Sequence, residues 1–150
     1  VNTDNQVAIA RAGGIPPLIS LLTRGNSGTQ NYAAGALWRL AGNTDNKVAI
    51  ASAGGIPPLI CLLTSGNSRT QALAIGALRN LAVNTDNQVA IARAGGIPTL
   101  ISLLTSDDSE TQEQAAGALA NLAVNTDNQV AIARAGGIPP LISLLTSGNS

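Results

Sequence analysis

Few side chains in this sequence could carry out chemistry. No histidine occurs, which removes the group most often used for proton transfer and metal binding. One thiol is present, Cys61, where the matching segments carry Ser20, Ser102 and Ser143. The expected role of Cys61 is a small core or semi-buried substitute, with a reactive thiol as the alternative. The carboxylates form two sets. Asp4, Asp45, Asp86 and Asp127 each fall in the expected first turn of a helix, where negative charge suits the helix dipole. Asp107, Asp108, Glu110 and Glu113 cluster at another helix start. Either a solvated, dipole-matched turn or a docking patch for a basic ligand would use them. No base, nucleophile or metal-ligand set converges, so the expectation is a non-enzyme with no cofactor and no metal.

Binding chemistry has better candidates. The single tyrosine and single tryptophan, Tyr32 and Trp38, lie close together beside Arg39. These three residue types are enriched in binding hot spots. Helical spacing sets Tyr32, Gly35 and Arg39 on one face, with Trp38 at its edge. The matching faces hold Leu73, Gly76 and Asn80, then Gln114, Gly117 and Asn121. A glycine inside a helix costs about 1 kcal/mol relative to alanine, so three in register need a reason. Close approach of neighbouring helices is one reason. Room for a ligand backbone in a groove is the other. Trp38 itself suits either a groove wall or a local lid on the core.

Charge and cysteine usage narrow the partners. Eight basic and eight acidic residues give a formal net charge of zero, which argues against nucleic acid and anionic membrane surfaces. No apolar run reaches the ~18–20 residues of a membrane span, so membrane insertion is not expected. A single cysteine forms no internal disulfide, which favours a reducing, cytoplasmic or nuclear compartment. The chain begins at Val1 rather than Met, which points to a fragment or a processed chain.

The elements that position these residues are written in repeats. "NTDNQVAIARAGGIP" runs from Asn84 to Pro98, from Asn125 to Pro139 and from Asn2 to Pro16. Asn43–Pro57 differs from it only at Lys47 and Ser52. The period gives repeats at 2–42, 43–83 and 84–124, with a partial repeat at 125–150. Phe and Met are absent, so the core must be built from Leu, Ile, Val and Ala.

Each repeat reads as three helices. The first, Thr3–Ala12, carries a Thr3/Gln6 capping box, repeated at Thr85/Gln88 and Thr126/Gln129 and broken by Lys47. Gly13-Gly14 then offers the left-handed stop common at helix ends. The second helix, Ile15–Thr23, has proline in its first turn. Leu18, Leu21 and Leu22 form its stripe and Ile19 widens it, so it is expected to be buried on several sides. The third helix, near Ser27–Ala41, Ser68–Ala82 and Ser109–Ala123, has boxes at Ser27/Gln30, Ser68/Gln71 and Ser109/Gln112. Leu37, Leu40 and Ala41 face inward, as do Leu78, Leu81 and Ala82. One such unit cannot cover its own apolar faces, but stacked copies can. The expected fold is all-α, a right-handed α-solenoid with three helices per 41-residue repeat.

The stretch "NKVAIASAGGIPPLICLLTSGNSRTQALAIGALRNLA" resembles an armadillo repeat of the kind found in β-catenin, importin-α and vacuolar armadillo proteins. The "AGGIPPLI" turn and the "GALRNLA" helix end carry the match, which recurs along the whole chain. The resemblance implies a protein-binding scaffold with an inner groove lined by third helices. It implies that an Asn near the end of that helix clamps the main chain of an extended peptide or disordered protein segment. Here that position is Asn80 and Asn121, and Arg39 departs from the pattern. Solvation of the helix surface is the plainer role for the two Asn. Importin-type repeats carry a Trp one turn earlier, where this chain has Gly35, Gly76 and Gly117. That places it nearer the β-catenin branch and puts binding of nuclear-localisation signals in doubt.

A second function class is structural. The last second helix, Ile138–Thr146, has no third helix to cover it, so Leu141, Ile142, Leu144 and Leu145 would face solvent. These residues are expected to support self-association, as a symmetric homo-oligomer through terminal repeats. The near-identical copies also fit an excised, consensus or designed array.

Overall fold

The structure, a computed structural model, describes residues 5, 8–9, 13–65 and 67–148, with side chains as far as residue 143. The expected Thr3–Ala12 helix, its Thr3/Gln6 box and Asp4 lie outside the described residues, save for Asn5, Ala8 and Ile9. Among the described residues there is no strand. In chain order, α1 is Ile15–Arg24, α2 Ser27–Leu40, α3 Thr44–Ser52, α4 Ile56–Ser65 and α5 Ser68–Leu81. Then come α6 Thr85–Arg93, α7 Gly96–Leu103, α8 Ser109–Leu122, α9 Thr126–Arg134 and α10 Ile138–Gly148.

The breaks follow from glycine and proline. Proline occupies the first turn of α1, where its missing N–H leaves no donor unpaired. Gly13, Gly54, Gly95 and Gly136 have φ of 81°, 81°, 84° and 79°, the left-handed end expected of the Gly-Gly pairs. In α7, Thr99 replaces the second proline, and the helix begins one residue earlier, at Gly96.

The caps correct the expected boxes by one residue. Asn26, Asn67 and Asp108 cap the third helices, accepting from the N–H of Thr29, Thr70 and Thr111 at 2.9, 2.9 and 3.0 Å. Asn43, Asn84 and Asn125 cap α3, α6 and α9 in the same way. Asn and Asp present an oxygen to the third amide as well as Ser and Thr do, and here they take the cap. Gln30, Gln88 and Gln129 are then left for a different task. Gln30 Nε2 donates to Leu22 O at 3.0 Å, Gln88 Nε2 to Ala82 O at 2.9 Å, and Gln129 Nε2 to Ala123 O at 2.7 Å. Each ties its helix to the end of the one before. Lys47 breaks no box; its Nζ makes the equivalent tie to Gly42 O at 3.3 Å. Burial pulls the Lys47 ammonium below the ordinary lysine range.

Stacking supplies the core. α2, α5 and α8 pack side by side, and each also packs on the second helix of its own repeat. The inward stripe is as expected: Leu37, Leu40 and Ala41, with Leu78, Leu81 and Ala82, are all buried. The interior second helix, α4, buries Ile56, Leu59, Ile60, Leu62 and Leu63. α1 buries only Ile15, Ile19 and Leu22 and leaves Leu21 39% exposed, so burial on several sides belongs to the middle of the stack. The result is an all-α solenoid.

A polar ladder absent from the sequence reading stitches the first helices together. Asn87 Nδ2 donates to Lys47 O at 3.2 Å, one repeat back, and Asn128 Nδ2 donates to Gln88 O at 3.1 Å. Asn46, Asn87 and Asn128 are all buried. Within a polar stretch like "NTDNQ" nothing marks the second Asn as the inward one until neighbouring repeats are stacked.

Candidate binding groove

The three register glycines of the third helices serve unequal purposes. A Cβ on Gly76 would lie 3.1 Å from Cε2 of Trp38, and one on Gly117 would lie 2.6 Å from Cζ of Arg79. Trp38 and Arg79 occupy the same place in successive repeats, and each reaches forward over the next glycine. Close approach is therefore the use of Gly76 and Gly117; their space is filled from within the protein. Gln114 steadies the second contact, accepting from Arg79 Nη1 at 3.3 Å. At Gly35 a Cβ would meet only Leu73, at 3.9 Å. Trp38 is half-buried and packs against the core, as a local lid.

The two candidate asparagines also look back one repeat. Asn80 Nδ2 donates to Trp38 O at 3.1 Å, and Asn121 Nδ2 donates to Arg79 O at 2.9 Å. A primary amide has two N–H donors and one oxygen acceptor. One donor of each is spent on the neighbouring helix. The other donor and the oxygen have no partner among the described residues.

A groove of 290 Å³ opens where Gly35 leaves space. Gly28, Asn31, Tyr32, Gly35 and Arg39 of α2 line it, with Arg69 and Leu73 of α5. It brings together Tyr32, Gly35, Arg39 and Leu73 from the sequence candidates, and adds Asn31 and Arg69, which that reading passed over. Trp38, Asn80, Gln114, Asn121, Gly76 and Gly117 do not line it. Tyr32 is 84% exposed. The Asn31 side chain is fixed by the Thr70 hydroxyl, which donates to it across the repeat boundary. Further along, a smaller groove of 180 Å³ is lined by Ser68, Arg69, Ala72 and Leu73, with Asp108 and Glu110 at the start of α8.

The sequence varies where the groove lies. The third helices read SGTQNYAAGALWRLA, SRTQALAIGALRNLA and SETQEQAAGALANLA. Their shared Ala, Leu and Gly positions build the core and the helix contacts. Every lining residue from α2 except Gly35 stands where the three copies differ. The same holds for Arg69 and Leu73 of α5. This signal was present in the sequence as a comparison of the chain with itself.

The remaining candidates fall elsewhere. Cys61 is exposed, which corrects the expectation of a core or semi-buried place. The buried residues of α4 leave an outward strip through Pro57, Cys61 and Thr64. Among the acidic residues, Asp108 is the α8 cap. The hydroxyl and then the amide of Thr111 donate to its carboxylate and hold its pKa below the usual range. Asp45, Asp86 and Asp127 sit in first turns, as the dipole argument requires. No group of three His, Cys, Asp or Glu able to hold a metal occurs among the described residues.

At the far end a second groove, of 230 Å³, is lined by Ala116, Leu119, Ala120 and Ala123 of the α8 segment, with Gln129, Ile132 and Leu141. Leu141 is half-buried and packs against the core rather than facing solvent, since α10 turns it toward α8. Ile142 is 55% exposed, as expected. The Leu144 and Leu145 side chains lie outside the described residues.

A family model for the armadillo/beta-catenin-like repeat matches residues 2–42, 43–83, 84–124 and 125–150. No curated protein sequence matches the chain. Among solved structures, an engineered protein is similar at 43% identity and a TM-score of 0.94, over 98% of this chain and 61% of that one. A designed armadillo repeat protein in complex with the peptide (KR)4 is similar at 26% identity and a TM-score of 0.92, over 97% and 62%. A computationally designed armadillo repeat protein for modular peptide recognition is similar to the same degree, at 26% identity and 0.92, over 97% and 62%. The chain thus spans about three-fifths of the length of these proteins.

Proposed function

The chain belongs to the armadillo/β-catenin-like repeat family, and from that premise we propose a non-enzymatic scaffold whose third helices bind an extended peptide or disordered protein segment. The observation that carries this reading is the groove between α2 and α5, lined almost wholly at the positions where the repeats differ. Side chains that vary over a constant frame are what a peptide reader needs. Two structural neighbours described for peptide binding or peptide recognition support it. Asn80 and Asn121 lie outside that groove, on α5 and α8; to a peptide that continues along the third helices they would supply main-chain contacts through the amide donor and oxygen that the fold leaves over. Tyr32 and Leu73 would supply apolar contact for side chains.

Replacing Asn121 by Ala is expected to weaken a groove-bound peptide by about 1–3 kcal/mol, the cost of one lost hydrogen bond with its partner left buried. Calorimetric titration measures this, with a thermal melt to account for the lost bond to Arg79 O. Unchanged affinity counts against the main-chain role of Asn121.

The apolar groove on α8 favours a second reading, self-association. The matching residues of α5, Ile75, Leu78 and Ala82, are fully buried where α8 packs on them. Inside the array, then, this face is covered by another third helix, and a second copy of the chain is the proposed cover here. Burying one large aliphatic side chain contributes ~1.5–3 kcal/mol against an association cost of ~4–15 kcal/mol, so the dimer would be weak. Light scattering of the 150-residue chain at high micromolar concentration should give twice the monomer mass, and Ala120→Glu, at the exposed lining residue of that groove, should return it to one. A monomer under both conditions removes this reading.

A further inference from the structure

The groove between α2 and α5 has a charge that the peptide reading leaves unused. Arg39 and Arg69 both line it, from opposite helices, and no carboxylate does. Both are exposed, and neither guanidinium has a hydrogen bond or ion pair with any described residue. Arg79, by contrast, is engaged by Gln114 over Gly117. The copies make the arrangement local: the place of Arg69 is Gly28 in the first repeat and Glu110 in the third, and the place of Arg39 is Asn80 and Asn121. Two like charges facing one cleft repel each other until a counter-charge enters, and a planar guanidinium meets a carboxylate with two parallel N–H donors. Arg69 also borders the neighbouring cleft, where Asp108 and Glu110 offset part of its charge, whereas Arg39 shares neither cleft with a carboxylate and carries the larger part of the demand. Beside the two arginines stand Tyr32 and Leu73, an apolar wall for the ligand residue next in line.

We propose that this groove selects an extended peptide with a carboxylate side chain, Asp or Glu, seated between Arg39 and Arg69 and an apolar neighbour against Tyr32 and Leu73. The inference rests on the peptide-binding reading and sharpens it. It sets this chain apart from the neighbour in complex with the basic peptide (KR)4, because a Lys or Arg placed here meets two positive charges. Nucleic acid would also offer anions to the arginines, but it carries a charge at every unit past Asp107, Asp108, Glu110 and Glu113 one repeat away, where a peptide can place neutral residues.

The test is fluorescence anisotropy with three labelled octapeptides in which Leu alternates with Glu, Gln or Lys, and with an oligothymidine of eight nucleotides. The Glu peptide should bind about tenfold more tightly than the Gln peptide, a margin set by charged hydrogen bonds that are partly open to solvent. The Lys peptide should bind more weakly than either. Arg39→Ala and Arg69→Ala should each erase most of the Glu preference and leave the Gln affinity in place, with unchanged melting curves. Added salt should shrink the preference. Equal affinity for Glu and Gln peptides, a preference that survives both substitutions, or oligothymidine binding as tight as the Glu peptide overturns the proposal. If in those cases Asn121→Ala still weakens all the peptides alike, the groove reading stands without it. If no peptide of any charge binds, both fall.

Discussion

Leu78→Ala should cost about 3–5 kcal/mol of unfolding free energy, at the high end for a leucine truncation. Leu78 is fully buried in the third helix of the middle complete repeat, with α2 packed on one side of that helix and α8 on the other. The cavity would be walled by helices that are themselves held in the stack. They cannot close in without breaking contacts to their own repeats, so little of the cost is relieved by collapse. The same residue is also the hinge of cooperativity. In a stack whose stability is a sum of unit and nearest-neighbour contributions, weakening the middle unit uncouples those on either side. Denaturant unfolding of the variant should therefore show a lower midpoint and a shallower slope, since the slope reports the surface exposed in one cooperative step.

The matching residue one repeat on makes the control. Leu119 is almost as buried, but it lines the apolar groove on the outer face of α8. A void beside an open groove connects to solvent and needs fewer neighbours to move. Leu119→Ala should cost clearly less than Leu78→Ala, near 2 kcal/mol. Equal losses at the two positions would mean that burial alone, and not place in the stack, sets the cost.

Periodicity carried most of the fold. Helix breaks at Gly-Gly and Pro-Pro, the inward Leu and Ala stripe and the need for stacking all follow from residue type and spacing, which act within a few turns. What depends on the next repeat was harder to read. Asn26 and Ser27 are both good caps, and only the extended backbone of Asn26 decides between them. Trp38 over Gly76, Arg79 over Gly117 and the Asn87–Lys47 tie each join residues roughly one period apart. Single-repeat reasoning cannot reach them. Cys61 was misplaced for the same reason, because α4 turns that position away from both neighbours. In the groove, Tyr32, Arg39 and Leu73 were legible from helical phase, whereas Arg69 needed the relative height of α2 and α5.

The Gly54-Gly55 junction separates two uses of glycine that look the same in sequence. Gly54 has φ of 81° and no atom within 4 Å of the place a Cβ would take, so its demand is on the backbone alone. Gly55 has no such angle, but a Cβ there would lie 2.7 Å from Ile50 Cγ2, 3.0 Å from Ile50 O and 3.2 Å from Ile19 Cδ1. Its N–H also donates to that Ile50 carbonyl at 2.9 Å, which holds the backbone in place. The contacts join α3, α4 and the second helix of the preceding repeat, so nothing nearby can yield cheaply. Gly54→Ala should cost about 1–2 kcal/mol, the left-handed penalty of an L residue. Gly54→Asn should cost less than that, because the short amide tolerates the left-handed region. At Gly55 the order inverts: Ala should cost about 1–3 kcal/mol from overpacking, and the larger Asn more, as an unpaired polar group forced among isoleucines. Thermal or urea unfolding of the four variants gives the answer. If Asn is gentler than Ala at both positions, steric contact at Gly55 is not what limits it; if Asn is harsher at both, the angle at Gly54 is not what its glycine serves.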